Sequence, residues 1–165
     1  MKKGYTLLEM LVVVSIISIL GIFLCFNFSN SITFISAKRE EDFVTNFVKY
    51  ASLLAYQTHE NFQLELDGKS KIIKINKKDM KDSSYKLYYQ ENLMKRFKFS
   101  LNVKSGKIGI GQNGKYFGNN RIEIKKNNGD ILYKIKFYSN WSISKPYKIK
   151  IYNVVNKKDI LVKSY

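Results

Sequence analysis

The feature that most constrains this chain is a long apolar run near its N-terminus. No charged residue occurs between Glu9 and Lys38, and the stretch from Leu11 to Phe28 is predominantly apolar. A helix needs about 20 such residues to cross the hydrocarbon core of a bilayer. Two basic residues, Lys2 and Lys3, precede the run, so the positive-inside rule places the N-terminus in the cytoplasm. The sequence therefore predicts a single-pass membrane helix with the bulk of the chain outside.

Three interpretations of this run compete. An ordinary secretory signal also has a charged start and an apolar middle, and the small residues Ser29–Ser31 resemble a cleavage site. A lipoprotein signal at Cys25 is disfavoured because the bulky residues Phe23 and Leu24 precede the cysteine. Neither interpretation explains Glu9, since a carboxylate deep in a bilayer costs about 2.5–3.5 kcal/mol and usually has a partner. The third interpretation supplies that partner.

Cleavage of the chain after Gly4 would create the partner. Tyr5 would then carry a free, positively charged amine, one helical turn from Glu9. A neighbouring subunit, shifted along a filament axis, could place its own amine against this carboxylate. Such a pair would neutralise two charges in an apolar filament core and fix the register between subunits, which is the best-attested use of buried ion pairs.

The N-terminal segment resembles the class III signal of type IV prepilins and type II secretion pseudopilins. The resemblance rests on the sequence GYTLLE at residues 4–9, followed by MLVVVSII. It implies that prepilin peptidase cuts after Gly4 and methylates the new amine of Tyr5, and that Glu9 is the assembly glutamate. Tyr5 replaces the usual phenylalanine, and Phe26 stands where many major pilins have a proline, which favours a minor subunit.

The resemblance also implies partners and a location. The partners are other pilin or pseudopilin subunits, prepilin peptidase, and the inner-membrane assembly platform with its ATPase machinery. The chain would begin in the cytoplasmic membrane and end in a cell-surface filament. Within the apolar run, Ser15, Ser18 and Gly21 recur every three residues. Because small residues let helices approach closely, this stripe is a candidate helix-packing surface.

Helical periodicity resumes after the apolar run. From Phe43 to Ala55, apolar residues recur at helical spacing and predict a face turned toward a core. Charged residues 38–42 precede this face, and we expect them on a solvated turn or surface. Residues 5–58 could form one helix, apolar in its first half and amphipathic in its second. The alternative is a membrane anchor followed by a separate short helix.

The remainder of the chain predicts antiparallel β-structure. Apolar and polar residues alternate with a period of two, and turn sequences such as 67–70 and 127–130 separate the alternating stretches. Residues 106–120 are rich in glycine and asparagine and predict a loop or a ragged hairpin. The alternating stretches are 62–66, 73–75, 97–103, 121–125, 131–137 and 147–151.

These patterns together predict an α+β fold, with a long N-terminal helix packed on an antiparallel β-sheet domain. The expected organisation is a leader peptide (1–4), a transmembrane and assembly helix (5–28), the amphipathic half of the helix (29–60) and a β-rich globular domain (61–165). The order of elements resembles the H-type minor pseudopilins and the competence pseudopilins of DNA-uptake machines. A minor pilin or pseudopilin of a type IV pilus, a type II secretion system or a competence pseudopilus is therefore the expected function.

Composition argues against catalytic and metal-binding classes. The chain has one cysteine, Cys25, and one histidine, His59, so clusters of these ligands are excluded. The stretch from Gly109 to Gly114 fits the pattern GxGxxG, but a strand pattern follows it where a dinucleotide site needs a helix. No pair of carboxylates stands out for acid–base catalysis. We expect no enzyme activity, no cofactor and no metal.

The alternative function is a membrane-anchored binding module. The chain has 29 Lys and Arg against 13 Asp and Glu, a net charge of +16. Basic and aromatic residues on the wet face of the sheet could hold DNA or another anionic polymer. We expect tyrosines 85, 88, 89, 116 and 138 to lie among these lysines. The candidate contacts are Lys125, Lys134, Lys136, Lys148 and Lys150, with Lys74 and Lys98 on the same predicted face.

Overall fold

The structure, a computed structural model, describes residues 6–103, 105–139 and 147–165. The described helix, α1, spans Leu7–Thr58, so the prediction of a long N-terminal helix is confirmed. The chain divides into two compact units, Met1–Ser36 and Ala37–Tyr165. Strands follow the helix in the second unit: β1 (Phe62–Asp67), β2 (Ile72–Lys78), β3 (Tyr85–Asn92), β4 (Lys98–Leu101), β5 (Lys107–Ile110), β6 (Asn120–Lys125), β7 (Ile131–Ser139), β8 (Tyr147–Val155) and β9 (Lys158–Ser164).

The part of α1 in the second unit is amphipathic, as its periodicity predicts. Val44, Val48, Ala51 and Ala55 are fully buried and pack in one core with the strands. Their spacing of three and four residues puts them on one face of the helix. The helix ends where His59 adopts a left-handed conformation, with φ of 55°, which is a common way to stop a helix.

The strands form two antiparallel sheets. One has four strands in the order β3-β2-β1-β5, and the other has five in the order β4-β6-β7-β8-β9. Alternate residues of the central strands are buried, as the period of two predicts. That pattern indicates which side chains face inward, but it does not indicate which strands pair. The buried apolar strand residues are Phe62, Leu64, Leu66, Ile73, Ile75, Phe99, Ile108, Ile110, Ile122, Ile124, Tyr133, Ile135, Phe137, Ile149 and Ile151.

The outer strands β3 and β9 are absent from the prediction. Nearly all their residues are exposed. Each lies at the end of its sheet, and no residue of either strand is buried. A strand that buries no residue has little reason to alternate apolar and polar residues, and the sequence signal is therefore missing.

Both predicted turns are confirmed. At the first, the backbone N–H groups of Lys69 and Ser70 donate to the Asp67 carboxylate, at 2.9 and 3.2 Å. At the second, Lys126 N donates to the Asp130 carbonyl at 2.8 Å, and Gly129 has a φ of 96°. Only glycine adopts such a φ without strain, which explains its place in this turn.

The glycine-rich segment is more ordered than predicted. Residues 107–110 form β5, which pairs with β1, and Ile110 forms an antiparallel bridge with Tyr116. The alternative of a ragged hairpin is therefore confirmed, and the alternative of a loop was wrong for residues 107–110. Tyr116 is 1% exposed, and its ring packs edge-on against Phe137, with centroids 4.8 Å apart. Its hydroxyl donates to the Val48 carbonyl of α1. Because these partners are far away in sequence, no local pattern signals them.

The prediction of a solvated turn or surface for residues 38–42 was partly wrong. These residues lie within α1, where Arg39 is exposed as predicted, but Glu40 is only 4% exposed and Glu41 is fully covered. A buried carboxylate needs hydrogen-bonding partners, and both find them here. Glu40 accepts a hydrogen bond from Met94 N at 3.0 Å, and Glu41 accepts one from the Thr45 hydroxyl at 3.2 Å and pairs with Lys38.

Candidate assembly site and basic face

The predicted assembly residue, Glu9, caps the start of α1. Its Oε2 atom accepts hydrogen bonds from Thr6 N at 2.8 Å and from Thr6 Oγ1 at 3.1 Å. Thr6 Oγ1 in turn accepts a hydrogen bond from Glu9 N at 3.2 Å. This reciprocal arrangement is a capping box, which satisfies backbone donors that a helix start leaves unpaired. The carboxylate is thereby held at the N-terminal end of the helix, where the helix dipole favours a negative charge.

The segment that follows is apolar on all sides. Residues Leu7–Cys25 have a mean hydropathy of 2.7, and by length and composition they could cross a membrane. Every residue from Thr6 to Cys25 is exposed in the single chain. An apolar surface of this kind is not stable in water and calls for lipid or protein around it.

The predicted packing stripe lies on this segment. Ser15 Oγ donates to the Leu11 carbonyl and Ser18 Oγ to the Val14 carbonyl, each at 2.8 Å. Both hydroxyls are therefore satisfied within the helix and can be carried into an apolar environment. Gly21 has no heavy atom within 4 Å of where a Cβ would lie, so a neighbouring helix would find open space there. Gly4 and Tyr5, the predicted cleavage and methylation positions, lie outside the described residues.

A charged cluster lies where α1 enters the second unit. Lys38 forms ion pairs with Glu41 and with Asp42, the latter at 3.2 Å. Asp42 also forms an ion pair with Lys163 of β9, at 3.2 Å. Partial burial lowers the pKa of Lys38, and burial raises the pKa of Glu40 despite its hydrogen bond from Met94. The cluster thus connects the helix to the last strand of the five-stranded sheet.

The lysines predicted to contact an anionic polymer share the outer face of the five-stranded sheet. They alternate along their strands with buried isoleucines. Cross-strand pairing places Lys136 between Arg121 and Lys150, and Lys98 opposite Lys125. We call this surface the basic face: Lys98, Arg121, Lys125, Lys134, Lys136, Lys148 and Lys150.

Acidic and aromatic neighbours already hold several of these cations. Lys134 pairs with Asp159 at 2.6 Å, and Lys125 pairs with Glu123 at 2.9 Å. Lys136 Nζ lies 4.4 Å from the centroid of the Tyr152 ring. Hydrogen bonding from Lys134 lowers the pKa of Asp159 below its ordinary value. Lys148 is exposed, and Lys150 is half-buried.

The predicted mixture of these lysines with tyrosines was largely wrong. Tyr85, Tyr88 and Tyr89 lie on β3, in the other sheet, as does Lys74 on β2. Tyr116 is buried in the core. Among the residues whose burial the structure describes, two tyrosines lie on the outer side of the five-stranded sheet: Tyr138 is opposite Lys148, and Tyr152 is opposite Lys134.

The GxGxxG pattern has a packing explanation. A Cβ on Gly109 would lie 2.5 Å from the ring of Phe117, and one on Gly111 would lie 3.2 Å from Asn113 Oδ1. Gly114 has a φ of 72°, which favours glycine. The glycines thus admit an aromatic ring and a tight turn. Among the described residues, no group of His, Cys, Asp or Glu could hold a metal ion.

Comparisons with known proteins agree with this geometry. A family model described as the prokaryotic N-terminal methylation motif matches residues 1–24. No curated protein matches the chain. Among solved structures, the chain is similar to the minor pseudopilin EpsH from the type 2 secretion system of Vibrio cholerae, with a TM-score of 0.53 and 7% sequence identity. The similarity covers 69% of this chain and 95% of that chain, and at this identity it shows a shared fold.

The chain thus combines the N-terminal methylation motif of prepilins with a fold like that of a minor pseudopilin. Both features support a type IV pilin-like protein, a class whose members are structural subunits that prepilin peptidase processes and that assemble with other pilins. The exposed apolar segment of this pilin-like protein fits membrane anchoring.

Sequence reasoning found the charged end of the pilin-like helix but missed the role of Thr6. The spacing of a threonine three residues before a glutamate at a helix start is the signal that could have revealed the capping box. It also missed Asp159 and Glu123, which hold lysines of the basic face. Asp159 belongs to β9, whose exposed residues gave no strand signal.

Proposed function

We propose that this chain is a minor pilin or pseudopilin of a type IV pilus, a type II secretion system or a competence pseudopilus. The precursor enters the cytoplasmic membrane once, with its N-terminus inside. Prepilin peptidase removes residues 1–4 after Gly4 and methylates the Tyr5 amine. Residues 5–28 act as the transmembrane and assembly helix, residues 29–60 as its amphipathic half, and residues 61–165 as the globular domain. The assembly platform and its ATPase machinery then insert the subunit into a surface filament.

The observation that carries this proposal is the position of the Glu9 carboxylate. It lies at the exposed N-terminal end of an apolar helix, four residues after the predicted new amine. A carboxylate offers about four acceptor positions, so it can retain its bonds from Thr6 and still accept an amine from a neighbouring subunit. A charge-assisted bond of that kind is roughly twice as strong as a neutral one. Glu9 can therefore both start its own helix and receive the next subunit.

The exposed apolar surface supports the same proposal. In the membrane, lipid covers the segment Leu7–Cys25; in a filament, the same segments of neighbouring subunits cover one another. Ser15, Ser18 and Gly21 then form the stripe along which helices approach closely. Because lipid and apolar protein solvate this surface about equally well, the paired charges and the small-residue contacts determine how subunits fit together.

The test is substitution of Glu9 in the full-length precursor, in its native cells. We expect Glu9→Ala to leave membrane insertion and cleavage intact but to abolish incorporation into sheared filaments. Thr6→Ala is the matched control: it removes the threonine side of the capping box and leaves the carboxylate, so incorporation should fall less. Intact-mass measurement on membranes should find a chain that begins at Tyr5 with one additional methyl group.

Two results would contradict the proposal. Normal incorporation of Glu9→Ala would exclude the pairing mechanism. A mature chain that begins at Met1, or one that begins near Ile32, would exclude prepilin processing and leave a plain anchor or an ordinary secreted protein.

The alternative function, a binding module for an anionic polymer such as DNA, rests on one observation. The seven residues of the basic face have two acidic neighbours, Glu123 and Asp159. Lys136 of β7 lies opposite Lys150 of β8, and Lys148 follows on the same side of β8. A surface of this charge attracts polyanions without sequence preference. The ion pairs of Lys125 and Lys134 weaken that attraction.

Salt dependence tests this alternative. We expect DNA affinity to fall steeply as salt rises, and the double variant Lys148→Ala, Lys150→Ala to reduce the slope by about two. Asp159→Asn should strengthen binding, because it releases Lys134 from its carboxylate partner. A flat response to salt, or equal affinity of all three proteins, would exclude electrostatic binding at this face.

A further inference from the structure

Two edges of the sheets are covered by the fold itself. Strand β5, at one end of the four-stranded sheet, is followed by a turn that folds back on it, and Phe117 N donates to the Gly109 carbonyl at 3.1 Å. Strand β4, at one end of the five-stranded sheet, lies against the turn after β1, since a Cβ on Gly68 would lie 2.7 Å from the backbone oxygen of Phe99. The opposite ends are β3 and β9, and no described strand pairs beyond them.

The main chain of β9 directs hydrogen-bonding groups away from its sheet. At the C-terminal end, Tyr165 exchanges both backbone hydrogen bonds with Ile149, at 2.8 and 3.2 Å. Along antiparallel strands, pairs that exchange hydrogen bonds alternate with pairs that exchange none. Ser164 belongs to the next pair, so its N–H and C=O groups point away from β8.

The same alternation holds at the other end of β9. A two-residue turn joins β8 to β9, and its residues Asn156 and Lys157 both have positive φ, as in the hairpin turns that match strand twist. The residues that flank such a turn form a hydrogen-bonded pair. Counting from that pair, Asp159 and Leu161 direct their main-chain groups away from β8.

The centre of this edge is aliphatic on both sides of the sheet. Ile160, Leu161 and Val162 are 52%, 51% and 46% exposed. Leu161 lies opposite Tyr152, on the side of the basic face, whereas Ile160 lies opposite Asn153, on the other side. Exposed aliphatic residues on an unpaired edge are a template for another strand.

Charged residues commonly guard an exposed edge, but two of the three on β9 are held by the domain itself. Asp159 pairs with Lys134 at 2.6 Å, and Lys163 pairs with Asp42 of α1 at 3.2 Å. Partners within the chain neutralise both, so they oppose an approaching strand less than free charges would. The third, Lys158, lies beside the turn, away from the aliphatic centre.

Strand β3 provides an internal comparison. Its central aromatic residues are used by the domain: Tyr89 stacks on Phe47 of α1 at 5.8 Å, and Tyr88 meets Phe62 of β1 edge-on at 5.6 Å. The one aliphatic residue of β3, Leu87, is 56% exposed. The exposed aliphatic residues of the two free edges are therefore concentrated on β9.

We propose that β9 pairs along its free edge with an extended strand of a different filament subunit, so that the five-stranded sheet continues across the subunit boundary. Main-chain hydrogen bonds of Asp159, Leu161 and Ser164 supply the affinity, and aliphatic residues of the partner cover Ile160 and Leu161. The adjacent basic face selects a strand that is neutral or acidic on its side. The proposal rests on the proposed function, because a minor subunit has other kinds of subunit as its neighbours.

The first experiment identifies the partner. A photoreactive benzoylphenylalanine replaces Ser164, an exposed edge residue, in the full-length chain in its native cells, and sheared filaments are irradiated. We expect an adduct with a different pilin-like subunit, and mass spectrometry should find a run of aliphatic residues in the cross-linked peptide. An adduct with a second copy of this chain or with lipid, or the absence of any adduct, would overturn the proposal.

A second experiment tests the main-chain bonds. Leu161→Pro removes an N–H group that faces the partner, and proline is tolerated on edge strands where the N–H is not bonded to the sheet. We expect the yield of the Ser164 adduct to fall about ten-fold, as for the loss of a main-chain hydrogen bond. Leu161→Ile retains the N–H group and an aliphatic side chain, so the yield should be unchanged. Equal yields from the two variants would contradict main-chain pairing.

A third variant does not depend on how proline affects the fold. Leu161→Lys places a free charge at the centre of the edge and should lower the adduct yield about ten-fold, as edge lysines oppose strand pairing. Leu87→Lys makes the same change at a similarly exposed leucine of β3 and should leave the yield unaltered. Equal yields from the two variants would overturn the assignment to β9.

The outcomes separate this proposal from the proposed function. Filaments that contain the processed chain but give no adduct at Ser164 would overturn the edge contact alone. Absence of the unaltered chain from every filament would overturn the proposed function, and the edge contact with it.

Discussion

The two halves of α1 have the same secondary structure and opposite surroundings. From Leu7 to Cys25, the helix is apolar on every side and exposed in the single chain. From Ala37 to Thr58, it presents one apolar face, and that face is buried against the strands. The first half depends on lipid or other subunits for its burial, whereas the second half obtains burial from its own domain.

The charged residues show the same difference. Glu9 is exposed and its contacts are local, three residues away in sequence. Glu40 and Glu41 are buried, and Glu40 is held by Met94 from a distant part of the chain. The lesson is that the function of the first half can be altered without unfolding the domain, whereas substitutions in the second half act first on stability.

Core truncation should separate the two regions most clearly. Phe137 is fully buried, and Phe137→Ala should lower the free energy of unfolding by about 3–5 kcal/mol. Ile17→Ala, on the exposed apolar segment, should change it by less than about 0.5 kcal/mol. Urea unfolding of the full chain in detergent, followed by circular dichroism, measures both. Equal effects would mean that the apolar segment belongs to the folded core.

Removal of the buried Glu41 carboxylate should have the next largest effect on the free energy of unfolding. Glu41→Ala leaves Lys38 and the Thr45 hydroxyl without this partner, and we expect a loss of about 1–3 kcal/mol. Glu9→Ala should leave the same unfolding transition unchanged, although we expect it to abolish assembly. Equal stability of Glu41→Ala and the unaltered protein would contradict this expectation and would mean that the ion pair of Lys38 with Asp42 is sufficient.

Glycine substitutions sharpen the comparison further. A Cβ on Gly68 would lie 2.7 Å from the backbone oxygen of Phe99, which cannot move freely, so Gly68→Ala should cost about 1–3 kcal/mol. Gly109→Ala should cost less, because the exposed ring of Phe117 can rotate away. Gly21→Ala meets nothing and should leave the domain unaffected. Thermal unfolding of the three variants gives the order.

The smallest expected effect is a pH dependence of the globular unit. Lys134 lowers the pKa of Asp159 in the folded state, so the unfolded chain binds a proton more readily than the folded one. The stabilisation is therefore complete above the ordinary aspartate pKa of about 3.9 and is lost as pH falls through the lower, folded value. Asp159→Asn should remove this loss, at a cost of less than about 1 kcal/mol at neutral pH. Unfolding measured from pH 2 to 7 would contradict it if both proteins lose stability equally.

Much of the fold was predictable because its signals are local. The helix, the inward-facing residues of the central strands and the turns at Asp67 and Gly129 follow from periodicity and turn chemistry. Strands β3 and β9, the partner of β5 and the buried position of Tyr116 were not predictable. Each depends on contacts between residues far apart in the chain, which leave no regular spacing in the sequence.

The candidate sites divide in the same way. The N-terminal motif is contiguous, so Gly4, Tyr5, Glu9 and the small-residue stripe could be named from the sequence, and the family model matches that same segment. The lysines of the basic face could be named, but the carboxylates that hold them could not. Phe47 and Tyr50 of α1 contact Tyr89 of β3, and nothing in the sequence relates these two segments.

By itself, the sequence determined the apolar segment, the motif that marks a pilin-like protein, and the alternation that builds a sheet. All three are patterns within a few turns or one strand, and they arise from the helical repeat, the pleat of a strand and the thickness of a bilayer. Only the tertiary structure decided which strands pair into two sheets, which carboxylates are buried, and which aromatic rings meet at a surface. Those outcomes depend on the packing of side chains from distant segments, where the free energy of burial and of hydrogen bonding is determined by the neighbours that the fold supplies.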